Sequence, residues 1–273
     1  MKPTNLFLLL IISTLLIACN SKDKEEKAAD YRLNTIKELI KANKLNEAKS
    51  NIDSLHILYP RLVEKRKIAV ALNDTIILRE SYKTLKYCTQ VLPVMKEAFE
   101  SLIRDFRFEK NEKYSEIGKY VYKSQLTEQN TGRNYLRCEV FENNDVFLVS
   151  EYSGAKMNHF AIKAQAGNLS AFSDTLRNGV FHTFNDVERN FESLTFKNET
   201  DSGLTAFISQ NFRLPIKITL IGSRKFTYQL AESDKLALNK SYTLYKARKL
   251  MSKTENDLRI AQQRIGKINL LYK

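Results

Sequence analysis

His56, His159 and His182 are the only imidazoles in this chain of 273 residues. Histidine is the side chain best suited to exchange a proton near neutral pH. None of the three has a Cys, a second His or a carboxylate at the spacing of a metal site. No metal is therefore expected, and no cofactor. The chain carries no Gly-x-Ser-x-Gly elbow and no glycine-rich phosphate loop. Asp174, Asp186, Glu188 and Asp201 are the carboxylates whose pairing would suit hydrolysis. They sit among Ser173, Asn185 and Gly203, which is turn chemistry. A Ser or Asp that the fold brings to a His would escape this reading, because triads occur in every chain order. Trp is absent, which weakens a sugar-stacking cleft, although Tyr can substitute. The expectation is a protein without catalysis; the alternative is a hydrolase with its site in loops.

Three cysteines remain as reactive types. Cys88 lies in a helical pattern, and Cys138 alternates with Leu136 and Val140, which turns it to a core. Both read as buried free thiols. Cys19 has a different setting. Lys2 precedes an apolar run from Leu6 to Ile17, interrupted by Ser13 and Thr14, and small Ala18 comes just before Cys19. That is the three-part layout of a secretory signal. As a helix the run spans about 18 Å against about 30 Å of hydrocarbon, too short for a stable span.

Leu16-Ile17-Ala18-Cys19 resembles the lipobox of bacterial lipoproteins. The resemblance implies that the thiol of Cys19 takes a diacylglycerol, the signal is cut before it, and the new amine is acylated. The chain would then meet the membrane through acyl chains on Cys19. One chain holds only marginally, while two or three hold for good. Asn20 follows the cysteine, where an Asp would resemble an inner-membrane retention signal. Lys24-Glu25-Glu26 resembles the surface-export signal of Bacteroidota lipoproteins, with ordinary linker charge as the alternative. The expected location is the outer membrane, on its periplasmic or cell-surface face. All of this concerns address and is silent on activity.

The elements that must position these residues follow from periodicity. Residues 1–18 read as the signal peptide and 19–29 as a charged, flexible tether. Residues 30–105 read as a helical hairpin, ending its first helix at Asn43, and then a long helix. Ala48, Ile52, Leu55 and Pro60 have the spacing of one tetratricopeptide unit, too few to build an array. Leu78, Tyr82, Leu85, Thr89, Leu92, Lys96, Phe99 and Ile103 form a heptad seam. Leu62, Ala69, Leu72 and Ile76 lie on another phase, so the seam shifts near Asn73-Asp74. Pro93 is expected to kink or break this helix.

From 106 to 232 the apolar period changes to two, which predicts an antiparallel β domain of about eight short strands. Leu204 to Ser209 reads as one of them, and Gly222 to Lys225 as a hairpin turn. Ser233-Asp234 is expected to cap a last long helix over 233–273. Ala237, Leu244, Ala247, Met251, Leu258, Ala261, Ile265, Ile268 and Tyr272 form its seam. The fold expected is α+β: long helices at both ends pair as an antiparallel coiled-coil stalk, with an antiparallel β-sandwich or barrel between them. This layout is similar to that of Bacteroidota outer-membrane lipoproteins.

Net charge is +13 and uneven: residues 233–273 hold ten Lys and Arg against three Asp and Glu. Lys246, Arg248, Lys249, Lys253, Arg259 and Arg264 make that helix a candidate contact for anionic lipid or an acidic envelope partner. A solvated helix face is the plain alternative. An exported protein meets no nucleic acid, so none is expected. The seam of the last helix also offers a route to a homodimer. Together these features suggest a lipid-anchored envelope protein that displays a β domain for binding or scaffolding.

Overall fold

A computed structural model describes residues 23–111, 116–176, 180–185 and 189–272. Cys19 and the lipobox residues Leu16, Ile17 and Ala18 lie outside the described residues, as do the signal peptide, Asp186 and Glu188. The chain is α+β, with five helices and two antiparallel sheets among the described residues. It divides into two compact units. One holds the described residues up to Thr89 together with those from Asp257 on; the other is Gln90–Asn256.

The first unit begins with helix α1 over residues 23–41. The helix thus starts inside the tract read as a tether. Glu25, Glu26, Lys27 and Ala28 are good helix formers, and Ala29 is fully buried. Asn43 ends α1 in the left-handed region, at φ 58°. Lys44 N–H donates to Leu39 O at 2.9 Å and Asn43 N–H to Ile40 O at 3.1 Å. That is a Schellman closure with Asn in the glycine position. Helix α2, Leu45–Leu58, returns antiparallel and buries Ala48, Ile52 and Leu55. These meet Leu33, Ile36, Ile40, Ala69 and Ile76 in one apolar cluster.

Ala69 and Ile76 belong to helix α3, Val63–Ile103, whose 41 residues run through Pro93 without a break. The expected break does not occur: the rest of this long helix carries the lost donor and the ring's clash with the preceding turn. The predicted seam also needs correction. Tyr82 is 50% exposed, and Thr89 is exposed as well. Ser81 and Cys88 are buried instead, followed by Leu92 and Phe99. Helix α5, Glu232–Leu271, buries Ala237, Leu244, Thr254, Ala261 and Ile268 as its period requires. Leu258 is only half-buried and Tyr272 is exposed. In the first unit the Tyr272 hydroxyl donates to Asp74 Oδ2 of α3 at 2.8 Å.

Among its described residues the second unit carries ten strands. These are β1 Phe106–Glu109, β2 Lys119–Tyr122, β3 Tyr135–Phe141, β4 Val146–Gly154, β5 Ala161–Ala166, β6 Leu169–Phe172, β7 Val180–Asn185, β8 Asn190–Lys197, β9 Ile216–Ile221 and β10 Lys225–Gln229. One sheet has the order β1-β2-β3-β4-β8-β7 and the other β10-β9-β5-β6, so neither closes into a barrel. Their apolar faces share one core, from Leu136, Cys138 and Leu148 to Ile162, Ile218 and Leu220. Tyr152 of β4 meets Phe226 of β10 edge-on at 5.1 Å.

Leu204–Gln210 is a helix, α4, where a strand was expected. Leu204, Phe207 and Ile208 fall three and four apart, a helical spacing that the strand reading overlooked. Asp201 accepts from Gly203 N–H at 3.0 Å and Thr205 N–H at 2.9 Å. Asp201 thus satisfies early amides of α4 from two residues ahead of the N-cap Gly203. Ser233-Asp234 does not cap α5. Asp234 lies inside the helix, 2% exposed, and takes a hydrogen bond from Arg133 Nη2 at 2.8 Å.

Candidate functional site

Strand parity decides what reaches the interior here. On β8, Phe196 and Leu194 face the core, so Glu192 must face it as well. Across the ladder Glu192 stands opposite Tyr152, and Leu194 stands opposite Ser150. A carboxylate and a hydroxyl thus enter an apolar layer, and each must find partners there. The loop between β4 and β5 supplies them.

Glu192 Oε1 accepts Met157 N–H at 2.6 Å and Asn158 N–H at 2.8 Å. Its Oε2 accepts His159 N–H at 3.1 Å and pairs with His159 Nδ1 at 2.9 Å. Asn158 is left-handed at φ 49°, which turns successive amides inward as an anion nest. Here the anion is the protein's own carboxylate. His159 Nε2 lies 3.1 Å from Ser150 Oγ. A carboxylate only accepts, so Nδ1 bears the proton and Nε2 accepts from Ser150. Burial holds the His159 pKa below its ordinary value, against the upward pull of Glu192. Burial alone would raise the Glu192 carboxyl. The bonds from His159 and three amides outweigh it and hold the group below the usual range.

A second layer fixes the loop. Ser223 N–H donates to Met157 O at 2.8 Å, and Arg224 Nη2 donates to the Tyr152 hydroxyl at 2.9 Å. A Cβ at Gly222 would lie 2.5 Å from Met157 O, so the β9–β10 turn packs bare backbone against the loop.

Beside this chain of bonds lies a cavity of about 640 Å³, walled by Asn158, His159, Phe160, Leu176, Phe181 and Leu194. His159 reaches it with both nitrogens already engaged. Ser150 is fully buried and does not line it. His182 does not join the cluster. It pairs with Ser193 on β8, a position of opposite parity to Glu192, and so faces the other side of the sheet. His56 belongs to the first unit, where its Nδ1 accepts from Arg66 Nε at 3.2 Å.

The other sequence candidates are dispersed. Asp174 accepts from Ser202 Oγ, and Asp201 holds early amides of α4. Among the described residues no group of three His, Cys, Asp or Glu is placed to hold a metal ion. Cys88 and Cys138 are buried free thiols, and burial pushes both thiol pKa values up. Lys246, Lys249 and Lys253 are exposed in the second unit, while Arg259 and Arg264 are exposed in the first. Arg248 is not a solvent-facing cation: its Nε donates to Glu142 O at 3.0 Å, and its guanidinium lies 5.7 Å from the Phe99 ring. Lys246 stacks over Tyr242 at 5.1 Å.

Sequence reasoning missed Glu192 and Ser150. The signal was a charged and a polar residue on the apolar phase of two predicted strands, Leu194–Phe196 extended by two positions and Val146–Tyr152. Comparison with protein-family models, curated proteins and solved structures finds no match to this chain.

Proposed function

We propose that this chain is a lipid-anchored cell-envelope protein whose β domain binds a small ligand without transforming it. One observation carries the non-catalytic part. His159, which lines the cavity in the second unit, has spent both nitrogens inside the fold, and its hydroxyl partner Ser150 is fully buried. The cavity sets the apolar side chains Phe160, Leu176, Phe181 and Leu194 beside the polar Asn158, His159 and Thr175, the mixed lining of a small-ligand site. In this reading the two sheets pack face to face as a sandwich, an arrangement their shared core supports. The long helices pair antiparallel as a coiled coil, supported in the first unit by the Tyr272–Asp74 bond. The anchor rests on the lipobox resemblance at Cys19, and the outer-membrane address on Asn20 standing where a retention Asp would be. Among the described residues no helix is long and apolar enough to cross a membrane.

A cell-envelope hydrolase is the second reading. Ser150, His159 and Glu192 stand at the distances of a Ser-His-acid triad, 3.1 and 2.9 Å. Labelling of the full chain with a fluorophosphonate probe separates the two. No label at Ser150 is expected. Label that Ser150→Ala removes would install the hydrolase instead. For the anchor, Cys19→Ala should abolish incorporation of clickable palmitate and release the protein to soluble fractions. Undiminished label would end that part of the proposal.

A further inference from the structure

Helix α2 is amphipathic until its last turn. Ile52 and Leu55 are buried, and Tyr59, just past the helix end, packs against the same cluster. That spacing is the inward stripe of a helix. Ile57 and Leu58 fall off the stripe: Ile57 is 77% exposed and Leu58 more than half exposed. Helix α3 repeats the pattern at its own start. Ala69 and Ile76 are buried and Leu62, one heptad before Ala69, is half-buried, whereas Val63 is more than half exposed.

Single apolar side chains on a surface need no explanation, but three large ones at one helix corner do. The corner is a closed piece of structure. Tyr59 O accepts Leu62 N–H at 3.2 Å. Arg66 donates from Nη1 to Pro60 O at 3.1 Å and from Nε to His56 Nδ1 at 3.2 Å. The three side chains are thus presented to the outside by a bonded turn.

What covers them follows from where Cys19 stands. Residues 19–29 read as a flexible tether, yet α1 begins at residue 23. Cys19 therefore lies at most about 14 Å from Asp23, whatever the path between them. The corner lies at that same end of the unit. Arg32 Nη1 of α1 donates to Asn51 Oδ1 of α2 at 3.1 Å. The two helices run antiparallel, so Leu58, about 10 Å beyond Asn51, is level with the first turn of α1. At the start of α3, Lys65 pairs with Asp30 of α1, which puts Val63 beside the same turns. Acyl chains on Cys19 enter the bilayer next to this end. A protein partner on the corner would have to fit between the unit and the lipid that already faces it. Asp23, Lys24, Glu26 and Lys27 mix both signs on the exposed start of α1, so apolar insertion, not charge, carries the contact.

We infer that the α2–α3 corner, through Ile57, Leu58 and Val63, inserts into the surface of the bilayer that holds the acyl chains of Cys19. Apolar side chains of this kind bury about 5–10 Å into the headgroup boundary. The inference rests on the reading of Cys19 as the lipid anchor and adds a second contact, made by the folded chain itself.

The test places a bimane on Leu58→Cys in the full chain, reconstituted into vesicles of phosphatidylethanolamine and phosphatidylglycerol. Cys88 and Cys138 are buried, and the parent treated alike gives the background. Clickable palmitate on the same preparation reports the anchor separately. Val94→Cys, exposed in the other unit, is the control. Spin-labelled lipid should quench the probe at 58 about twofold or more and leave the probe at 94 unaltered. Ile57→Asp and Val63→Asp, placed together in the Leu58→Cys chain, should abolish that quenching. All these variants should melt with the parent, since each side chain faces solvent. A palmitate-labelled chain whose probe at 58 is quenched no better than at 94 would overturn the inference and leave the anchor standing. Quenching that survives both aspartates would overturn it as well. So would a blue-shifted probe that lipid does not quench, which places protein on the corner, a second copy included. Quenching without palmitate label would fail the anchor alone, and neither label nor quenching would fail both.

Discussion

Glu192 accepts four hydrogen bonds, and all four come from one loop and its own histidine. A carboxylate so held does the work of a structural ion. Glu192→Gln keeps the shape but puts an amide donor against amide donors. The loss should be about 1.5–3 kcal/mol, the range for hydrogen bonds to a charged group, read as a shift in urea midpoint at pH 7. The pH dependence has a definite sign. The His159 pKa is depressed in the fold, so below about 6.5 the unfolded chain takes a proton that the native chain refuses. Stability should therefore fall as pH falls from there toward the native value. Glu192 is depressed as well. Its contribution is whole above about 4.3, the unfolded Glu value, and is lost as pH falls through the native pKa. His159→Gln should flatten the midpoint-versus-pH curve between about 6.5 and 5, since it removes the first of these titrations. An unchanged slope would refute the assignment. His159 was visible in the sequence as a residue beside a strand. Its partners were not, because parity tells which way Glu192 points only once the length of β8 is known.

Helices set the next scale. A proline in a helix interior costs about 3 kcal/mol relative to alanine, and α3 carries that cost at Pro93 without breaking. Pro93→Ala should thus stabilise the chain by up to about 3 kcal/mol, a rise of roughly 6–12 °C in Tm if it melts as one unit of this size. A Tm that stays put would mean that the helix does not run through Pro93 in solution. At α4, Asp201→Ala should cost about 0.5–2 kcal/mol, the loss typical of a cap, by freeing early amides of the helix. The element-scale reading went astray where local pattern was short. Seven residues of α4 offer two turns of evidence, and Leu204, Ala206 and Ile208 alternate with Thr205 and Ser209 closely enough to pass for a strand. The long helices were legible because their period repeats over 40 residues. Even there the buried line of α3 passes through Ser81 and Cys88, not Tyr82 and Thr89. Those polar and small side chains carry no apolar signal, although a close helix neighbour selects for them.

At the scale of the whole chain, the units are not contiguous in sequence: α5 returns to the unit that holds α1 and α2. In that unit Ala261 is 3% and Ile268 is 5% exposed, and Tyr272 reaches Asp74. The proposed stalk makes this return obligatory for stability. Leu258, a member of the seam read from the sequence, is half-buried, so a substitution there would blunt the result. Ala261 is the better position. Ala261→Glu places a charge without a partner in a packed seam, and the loss should be about 3 kcal/mol or more. Arg264→Gln, an exposed change one turn on, should leave the melt within about 0.5 kcal/mol. A dimer through the same seam would give both results, so a second measurement has to separate them. Cysteines at 74 and 272, joined by a short bismaleimide, report the pairing, since Cys88 and Cys138 are buried and withheld. The expected product is a cross-link within one chain, formed at a rate independent of protein concentration. A covalent dimer whose yield rises with concentration would replace the hairpin stalk with a two-chain one. Full stability of Ala261→Glu would remove the stalk and leave only the end of α5, beyond the Leu238 and Leu244 buried in the second unit, as a basic segment free to lie on an anionic surface.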